Sequence, residues 1–561
     1  MSNYVIGVDV GTGSVRAGVF DASGRMLATA KQDIALYHHA GAMVEQSSGE
    51  IWAAVCTSVR RAVLLADIPA GQVSGIGFDA TCSLVVLGAG GAPLAVGPSG
   101  EPQRNIIVWM DHRAVAQADR INATGHPVLA YVGGRISPEM ETPKLLWLLE
   151  NRRAVFDAAW QFMDLSDFLT WRASGDLARS TCTVACKWTY LAHEQRWDDS
   201  YFRTIGLGTL VDEGYARIGQ NIVAPGTALG QGLTAQAAAE LGLRPGTAVA
   251  TGIIDAHAGG LGTVGVEGAG GDGENADNGD DGDRRRGAAF SSLAYVFGTS
   301  SCTMTTTREP VFVPGVWGPY FSAMVPGTWL NEGGQSAAGA AIEQLLSMHP
   351  LAADVRRQAQ EQGLALPALL ARQIERSQPD PADLSQAVRL AREVHVVPEF
   401  LGNRAPRADP QARAIIAGLG MENDMDSLVT LYIAGMCGIA YGLRQIIAAQ
   451  AAAGASVIRI VISGGAGRPD LVRQLIADAT GLPVLAADAD EPVLLGAAIL
   501  ASVAGGAYAD VAAAMTGMTR AGTTYQPCSG AIAALHQRRY GAFLQLQDLQ
   551  RQLQAASQVD G

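Results

Sequence analysis

A short stretch near the start of the chain combines an acidic residue with a turn suited to binding an anion. Asp9 lies at the end of an apolar run, and Arg16 lies in the run that follows. The turn between them consists of Gly11, Thr12, Gly13 and Ser14. Small turn residues let backbone N–H groups approach an anion closely, and hydroxyls add further donors. Asp9 could therefore hold a hydrated Mg²⁺ against nucleotide phosphates; the alternative is an ordinary hairpin with a solvated aspartate.

A second stretch repeats this pattern later in the chain. Its turn consists of Gly298, Thr299, Ser300 and Ser301. When the Gly-Thr pairs are aligned, Val296 stands where Asp9 stands, so only the first half carries the metal carboxylate. An internal repeat of this kind predicts two related halves that present phosphate-binding hairpins to each other across a cleft. One carboxylate is what a single bound metal–nucleotide would need.

Two further acidic residues follow strand-like runs in the first half. Residues 73–78 are expected to form a buried strand that ends just before Asp79, and residues 248–254 a second strand that ends before Asp255. Apolar runs of this length that stop at polar residues are typical of buried strands in an α/β fold.

A glycine-rich turn stands out in the second half. It contains Gly464, Gly465 and Ala466. It is expected to follow a strand at residues 457–462 and to precede a helix that Pro469 starts, whereas an earlier long helix should begin at Asp426 or Ser427 and end near Ala453. Such a turn between a strand and a helix is a common place for a nucleotide, although glycines there also serve close packing.

Length, charge and cysteine content restrict the class of protein. The chain has 561 residues, enough for at least two domains, and its net charge of -13 argues against a nucleic-acid partner. We expect no signal peptide and no membrane segment, because we find no apolar run near the roughly 20 residues that a span requires. The seven cysteines form no Cys-x-x-Cys pair, so they are expected to be free thiols in a reducing cytoplasm.

A segment of unusual composition separates the two halves. Residues 267–286 contain seven acidic residues, three arginines and many glycines. With few apolar side chains the segment cannot offset the entropy of ordering, so it is predicted to be a disordered loop. The predicted division of the chain is 1–262, an insert at 263–289, 290–505, and a helical tail at 506–561.

Six short motifs occur in the order seen in FGGY carbohydrate kinases, and the chain resembles this family from its first strand to about Ser502. They lie at residues 9–12, 144–151, 252–259, 298–300, 463–466 and 495–498. The resemblance implies two actin-like (ribonuclease H-like) domains with ATP and Mg²⁺ in the cleft, and transfer of the γ-phosphoryl group to a sugar hydroxyl. It also implies that both hairpins, Arg16 and the turn at 464–466 contact the nucleotide.

The resemblance identifies Asp255 as the catalytic base. Phosphoryl transfer needs a carboxylate to accept the hydroxyl proton, together with positive charge on the phosphates. The alternative is that Asp255 only caps the helix that begins at Ala256.

Further segments resemble the D-ribulokinase branch of the family and imply a sugar site. The implied sugar-binding residues are Thr81, Cys82, Asp111, Lys187, Asp255 and Glu332. Glu332 is similar to a glutamate that contacts the sugar in ribulokinases, and Lys187 to a lysine directed at the ketose; a solvated surface lysine is its alternative. For Asp111, a structural pair with Arg113 is an equally good interpretation.

These resemblances predict an ATP-dependent kinase that phosphorylates the terminal hydroxyl of a pentulose, with D-ribulose favoured. L-ribulose, ribitol and other pentitols are alternatives within the same reaction class. An actin-like ATPase of the chaperone type would need a separate peptide-binding domain, whereas only a Gln-rich tail at residues 536–558 follows. A silent sugar sensor is disfavoured because Asp9 and Asp255 are both present. The expected partner is a small-molecule sugar, and a homodimer stays open.

Overall fold

The computed structural model of the chain describes residues 4–265, 289–377 and 381–557. The acidic segment at residues 267–286 therefore lies outside the described residues, and the prediction of a disordered loop there stays a prediction. The described residues alternate strands and helices in two successive halves.

The first half contains a six-stranded sheet, two smaller sheets and the helices packed against them. Its strands are β1 (Tyr4–Val10), β2 (Ser14–Phe20), β3 (Met26–Asp33), β4 (Tyr37–His39), β5 (Met43–Gln46), β6 (Val73–Ala80), β7 (Leu84–Leu87), β8 (Ile106–Ile107), β9 (Gln161–Asp164), β10 (Arg179–Ser180), β11 (Ile222–Val223), β12 (Ala248–Val249) and β13 (Ile253–Ile254). Its helices are α1 (Ser48–Leu65), α2 (Val115–Ala123), α3 (Glu141–Asn151), α4 (Arg153–Ala158), α5 (Leu165–Ser174), α6 (Thr181–Lys187), α7 (Asp199–Thr204), α8 (Gly208–Asp212), α9 (Ala235–Leu241) and α10 (Asp255–Val264).

The second half contains a seven-stranded sheet and a smaller sheet of two strands. Its strands are β14 (Ser292–Phe297), β15 (Ser301–Thr307), β16 (Trp317–Phe321), β17 (Trp329–Gln335), β18 (His395–Val397), β19 (Ile415–Ala417), β20 (Arg459–Ser463), β21 (Val484–Ala487) and β22 (Ala521–Tyr525). Its helices are α11 (Gly339–Ser347), α12 (Ala352–Glu361), α13 (Leu366–Ser377), α14 (Met425–Ala452), α15 (Asp470–Thr480), α16 (Pro492–Ala504), α17 (Val511–Met518) and α18 (Gly530–Ala556).

The two large sheets share one strand order. The first runs β3-β2-β1-β6-β12, with β13 as its sixth strand also pairing with β6, and the second runs β17-β15-β14-β20-β21 with β16 and β22 added at its edges. In each, an antiparallel hairpin (β1–β2, β14–β15) adjoins a parallel neighbour (β6, β20). The α/β fold with two related halves is thus confirmed.

Helix α16 joins the two halves. It follows β21 of the second sheet in the chain but packs against β1, β6 and α10 of the first half. The approach is close because a Cβ atom at Gly496 would overlap the carbonyl oxygen of Ala258, and one at Gly77 would overlap that of Ala497. Since α10 begins at Asp255, this contact fixes the start of α10 relative to both sheets.

Several predicted boundaries are shifted for identifiable reasons. The strand expected at 248–254 is two short strands, because the backbone of Thr251 bonds with Gly226 and Thr227 instead of β6. Helix α14 begins at Met425, since Asp424 caps it through a reciprocal pair of hydrogen bonds with Ser427.

One helix has a length and composition that do not match the expectation of no membrane segment. Met425–Ala452 is long and apolar enough to cross a bilayer by length and composition, although the sequence analysis expected no such segment. Of its most apolar window, 78% is buried inside the protein, as in the core helix of a globular fold.

Candidate active site

Three aspartates lie side by side where parallel strands of the first sheet end. Asp9 on β1 is in register with Asp79 on β6, and Ile253 on β13 pairs with Asp79 from the other side. Asp255, two residues further, therefore completes a row of carboxyl groups. Asp9 and Asp79 are buried, and Asp255 is partly exposed. The carboxyl ends of parallel strands are where α/β proteins place ligands.

Asp79 is a site residue that the sequence analysis did not assign. Neither oxygen of its buried carboxyl group finds an N–H or O–H donor among the described residues. Burial, followed by the charges of Asp9 and Asp255, raises its pKa well above the usual range. The signal in the sequence was an acidic residue directly after an apolar strand, the same signal that identified Asp9.

Arg16 connects the first hairpin to the second half. Its Nε donates to Oδ2 of Asp9 at 2.9 Å, and Nη2 also bonds that carboxylate. Its Nη1 donates to Oε2 of Glu491 at 2.6 Å, just before α16. The side chain keeps 34% of its surface exposed, so it stays accessible to an anion in the cleft.

Asp255 begins helix α10 and does not cap it in the ordinary way. Its Oδ1 accepts a hydrogen bond from the N–H of the next residue, Ala256, at 2.7 Å, whereas the N-cap position belongs to Ile254. Burial and then the charge of Asp9 raise the pKa of Asp255 to about 6. A carboxylate with a pKa near neutrality is suited to accept a proton, so the geometry is compatible with the predicted base.

Lys187 lies at the end of α6 and is not a solvated surface residue. It is 4% exposed, and its Nζ lies 4.6 Å from the ring centroid of Trp317. Burial alone would lower the pKa of Lys187, but the neighbouring Cys82 and Glu332 raise it above its usual range. Burial likewise opposes ionisation of Glu332, yet Lys187 and His257 lower its pKa to about 2. Both groups are therefore charged at neutral pH.

Trp317 contacts two cationic side chains. Besides Lys187, the guanidinium carbon of Arg404 lies 5.2 Å from the Trp317 ring centroid, which is within cation–π range. Arg404 also donates to Sγ of Cys302 at 3.9 Å. The sequence alone indicates no role for Trp317 or Arg404, because only folding brings the indole ring close to both cations.

Asp111 forms the structural pair with Arg113 that was the alternative to a contact with the sugar. Its two oxygens accept hydrogen bonds from the N–H of Val44 at 2.6 Å, from the N–H of Arg113 at 2.8 Å, and from the Arg113 guanidinium at 2.9 and 2.7 Å. Both side chains are buried, and Glu45 also pairs with Arg113. A carboxylate with this many protein donors has no capacity left for a sugar hydroxyl.

Thr81 and its neighbours connect the end of β6 to the first hairpin. The hydroxyls of Thr81 and Ser83 lie 3.2 Å apart, and Ser83 accepts from the N–H of Trp109 at 3.1 Å. The indole of Trp109 donates to the Thr12 hydroxyl at 3.0 Å. Cys82, between the two hydroxyl residues, is partly exposed. This segment places the small side chains at the junction between the phosphate hairpin and the sugar side.

The second hairpin borders a large cavity. The cavity has a volume of about 730 Å³ and lies between the hairpin, α11, the start of α13, α14 and the turn at 464–466. Lining residues include Gly298, Thr299, Ala340, Tyr432, Gly465 and Ala466. Gly464 adopts a φ of 92° and lies so close to Phe297 that a Cβ would overlap its carbonyl oxygen. The volume and the apolar walls suit a heterocyclic ligand.

The second hairpin is one residue shorter than the first, which corrects the alignment of the repeat. Gly11 donates to the carbonyl of Ser14 at 3.0 Å, whereas Gly298 donates to that of Ser300 at 2.9 Å. Ser14 therefore corresponds to Ser300, not to Ser301.

Comparison with known proteins agrees with this geometry. The N-terminal domain model of the FGGY family of carbohydrate kinases matches residues 4–262, and the C-terminal domain model matches residues 293–505. The chain belongs to the FGGY family of carbohydrate kinases. It is therefore a sugar kinase, a phosphotransferase, and the family implies that it uses ATP.

Relatives of this FGGY kinase match it over nearly its whole length. A human FGGY carbohydrate kinase domain-containing protein is 45% identical over 559 residues, which is 99% of this chain and 98% of its own. A D-ribulokinase of Saccharomyces cerevisiae is 37% identical over 517 residues, which is 90% of this chain and 72% of its own.

Solved structures show the same fold. A xylulose kinase from Lactobacillus acidophilus superposes with a TM-score of 0.76 at 20% identity, covering 99% of each chain. A glycerol kinase from Plasmodium falciparum with ADP has a TM-score of 0.73 at 15% identity, covering 97% of this chain and 98% of its own. At these identities the similarity concerns the fold alone.

Proposed function

We propose that this FGGY kinase transfers the γ-phosphoryl group of ATP to the terminal hydroxyl of a pentulose, with D-ribulose as the preferred substrate. The observation that carries the proposal is the burial of two groups of opposite charge, Lys187 and Glu332, which shift each other's pKa, while Lys187 also acts on Asp255. A ketopentose offers a carbonyl that accepts hydrogen bonds and hydroxyls that also donate them. An ammonium group and an ionised carboxylate meet both requirements. The similarity to the yeast D-ribulokinase supports this choice of sugar.

Asp255 is the group that would take the proton in this reaction. As the sugar hydroxyl attacks the γ-phosphorus, its proton passes to the Asp255 carboxylate, the O–P bond forms, and the bond to the β-phosphate oxygen breaks. The pKa of about 6 leaves Asp255 ionised at neutral pH while keeping it basic enough to accept the proton. Arg16, held next to Asp9 at the hairpin, supplies positive charge toward the phosphates.

The carboxyl groups beside Arg16 fit a hydrated Mg²⁺. Asp79 has two buried oxygens without a donor, and Asp9 lies in register beside it. Hard divalent cations prefer such oxygen ligands, so Asp9 would hold the ion with Asp79 behind it. When bound, Mg²⁺ neutralises phosphate charge.

The cavity beside the second hairpin is the proposed place for the adenosine part of ATP. Its apolar walls include Ala340 and Tyr432, and Gly298 and Thr299 lie at its edge. We also place the enzyme in the cytoplasm, a proposal supported by seven free cysteines in the described residues.

The test is a coupled ADP-release assay over D-ribulose, L-ribulose, D-xylulose, ribitol and glycerol. We expect the highest kcat/KM for D-ribulose and a much lower value for ribitol, which lacks the carbonyl. Lys187→Met should reduce this gap by weakening the ketose selectively, whereas Lys31→Met, on an exposed lysine of β3, is the matched control. A wild-type enzyme that prefers ribitol or glycerol would contradict the proposed substrate, although the kinase assignment would stand.

A further inference from the structure

A row of three polar side chains runs from the core to the sugar side of the cleft. Sγ of Cys182 on α6 lies 3.0 Å from Nδ1 of His257 on α10. Nε2 of His257 lies 3.3 Å from Oε2 of Glu332 on β17. Cys182 and His257 are fully buried, and Glu332 is 5% exposed. The row therefore joins the first half of the chain to the second through one imidazole ring.

The contacts on the two ring nitrogens determine the protonation state of His257. Nε2 faces the Glu332 carboxylate, which only accepts, so Nε2 carries a proton. Nδ1 faces Sγ of Cys182, which donates as a thiol to a neutral ring or accepts as a thiolate from an imidazolium. Burial alone lowers the pKa of His257, but the neighbouring Cys182 and Glu332 raise it to about 10. Burial likewise opposes ionisation of Cys182, but its contacts with Cys186 and His257 lower its pKa below the usual range. The two contacts and these shifts favour a thiolate, an imidazolium and a carboxylate in the row.

His257 lies among other charged groups. Lys187 and Arg404 act on Glu332 together with His257, and His257 and Lys187 act on Asp255. Buried ions are tolerated when each has a partner of opposite sign, and removal of one leaves its neighbour uncompensated. His257 also lies in the first turn of α10, two residues after Asp255, so it ties that turn directly to Glu332.

We infer that His257 is a positioning residue for the sugar: its Nε2–H fixes the Glu332 carboxylate to accept sugar hydroxyls, and Cys182 holds the imidazole charged and oriented. The inference rests on the proposed function, because it takes Glu332 as a sugar contact. A hydrogen bond to a charged group contributes to binding by about 10- to 100-fold. The effect of His257 should therefore appear in the KM for the sugar and not in the KM for ATP.

The sharpest test replaces His257 with glutamine or with asparagine, because each of these side-chain amides mimics one of the two imidazole nitrogens. His257→Gln can place its amide N–H near the Nε2 position and reach Glu332, whereas His257→Asn reaches only the Nδ1 position near Cys182. We expect Asn to raise the sugar KM on the order of 10- to 100-fold and Gln to restore most of the loss. The KM for ATP should stay within about twofold in both variants, measured with the best sugar of the panel.

The two cysteines of α6 form a matched pair of further variants. Cys182→Ser removes the thiolate and should raise the sugar KM on the order of threefold to tenfold. Cys186→Ser keeps a hydroxyl donor toward Cys182 and should leave the KM unchanged. The wild-type protein should show ultraviolet thiolate absorbance at neutral pH, which Cys182→Ser removes and Cys186→Ser retains. This readout needs no sugar, so it separates the inference from the identity of the substrate.

Three results would overturn the inference. Equal increases in the sugar KM for Asn and Gln, together with a higher KM for ATP, would show a merely structural role. An unchanged sugar KM in Cys182→Ser would show that the thiol does not act through His257. Absence of thiolate absorbance in the wild type would show a neutral pair. If His257→Asn fails to fold, Cys182→Ser, which is nearly isosteric, decides between these outcomes.

Discussion

The two hairpins that open the halves of this kinase share their strand pairing and differ in turn length and in charge. In the first, Asp9 and Arg16 are cross-strand partners and form an ion pair. In the second, the equivalent partners are Val296 and Cys302. The repeated strand order therefore keeps a Gly-Thr turn, one residue shorter in the second hairpin, while only the first hairpin carries the ion pair. The comparison shows that a repeated topology does not imply repeated chemistry.

The same contrast extends to the surroundings of each hairpin. The first borders a row of three carboxyl groups, and the second borders an apolar cavity of about 730 Å³. In the proposed function, proton transfer therefore belongs to the first half and the volume for the nucleotide to the second. The proposed sugar site is shared, because Lys187 comes from the first half and Glu332 from the second.

The variant with the largest expected effect tests the row of carboxyl groups beside the first hairpin. Asp255→Asn keeps the shape of the side chain but removes the base, so kcat should fall on the order of 10²- to 10⁴-fold. Nucleotide affinity, measured by calorimetric titration with ADP, should change little because the cavity lies in the other half. Near-normal turnover in this variant would show that Asp255 is not the base.

The variant with the next largest expected effect tests the apolar cavity beside the second hairpin. Ala340→Phe fills part of the cavity, and overpacking costs about 1–3 kcal/mol, so the KM for ATP should rise on the order of 10- to 100-fold. The KM for the sugar should be unchanged. Ala353→Phe, at an exposed position on α12, is the control. An unchanged KM for ATP would mean that the nucleotide does not occupy this cavity.

Much of this division was predictable from local patterns. The hairpins, the strands before Asp9 and Asp79, and the Gly-Thr repeat follow from alternating apolar runs and turn residues. The length of the second turn was not predictable, because an alignment of the Gly-Thr pairs does not show how many residues lie between the two strands of a hairpin. The register of β14 and β15 decides that.

The site itself was harder to predict because its contacts come from distant parts of the chain. Asp111 looked available for a sugar, but the packing of β5 brings the N–H of Val44 onto its carboxylate. Trp317 and His257 acquire roles only through neighbours more than 70 residues away, such as Glu332, which lies 75 positions from His257. The sequence indicates residue types, and tertiary packing decides which of them keep free hydrogen-bonding capacity.

A third prediction uses pH to separate the role of Asp255 from that of Glu332. Asp255 must be ionised to act, and its pKa of about 6 lies above the usual value of 3.8, so activity is present above pH 6 and is lost as the pH falls. At pH 5, kcat/KM should be about tenfold lower than its plateau. Glu332, with a pKa of about 2, stays ionised over this range, so the affinity for the sugar should not follow the same curve. A plateau extending below pH 5 would contradict the assignment.

The smallest expected effect concerns the connection between the charged hairpin and the second half. Glu491 and Arg16 form an ion pair in which the side chains keep 27% and 34% of their surface exposed. Solvent screens such a pair, and exposed pairs contribute about 0.2–1 kcal/mol to stability. Glu491→Gln should therefore lower the melting temperature by no more than about 2–4 °C.

The effect of Glu491→Gln on function should be equally small, and its sign is informative. Arg16 keeps its bonds to Asp9 in this variant, and its Nη1 loses a competing carboxylate, so the KM for ATP should stay equal or fall slightly. Glu101→Gln, which breaks the exposed pair with Arg104, is the control for loss of a surface charge. A marked rise in the KM for ATP with Glu491→Gln alone would show that the second half positions Arg16 for the phosphates. The charged hairpin would then depend on both halves, and the division between the two hairpins would be less strict than their sequences indicate.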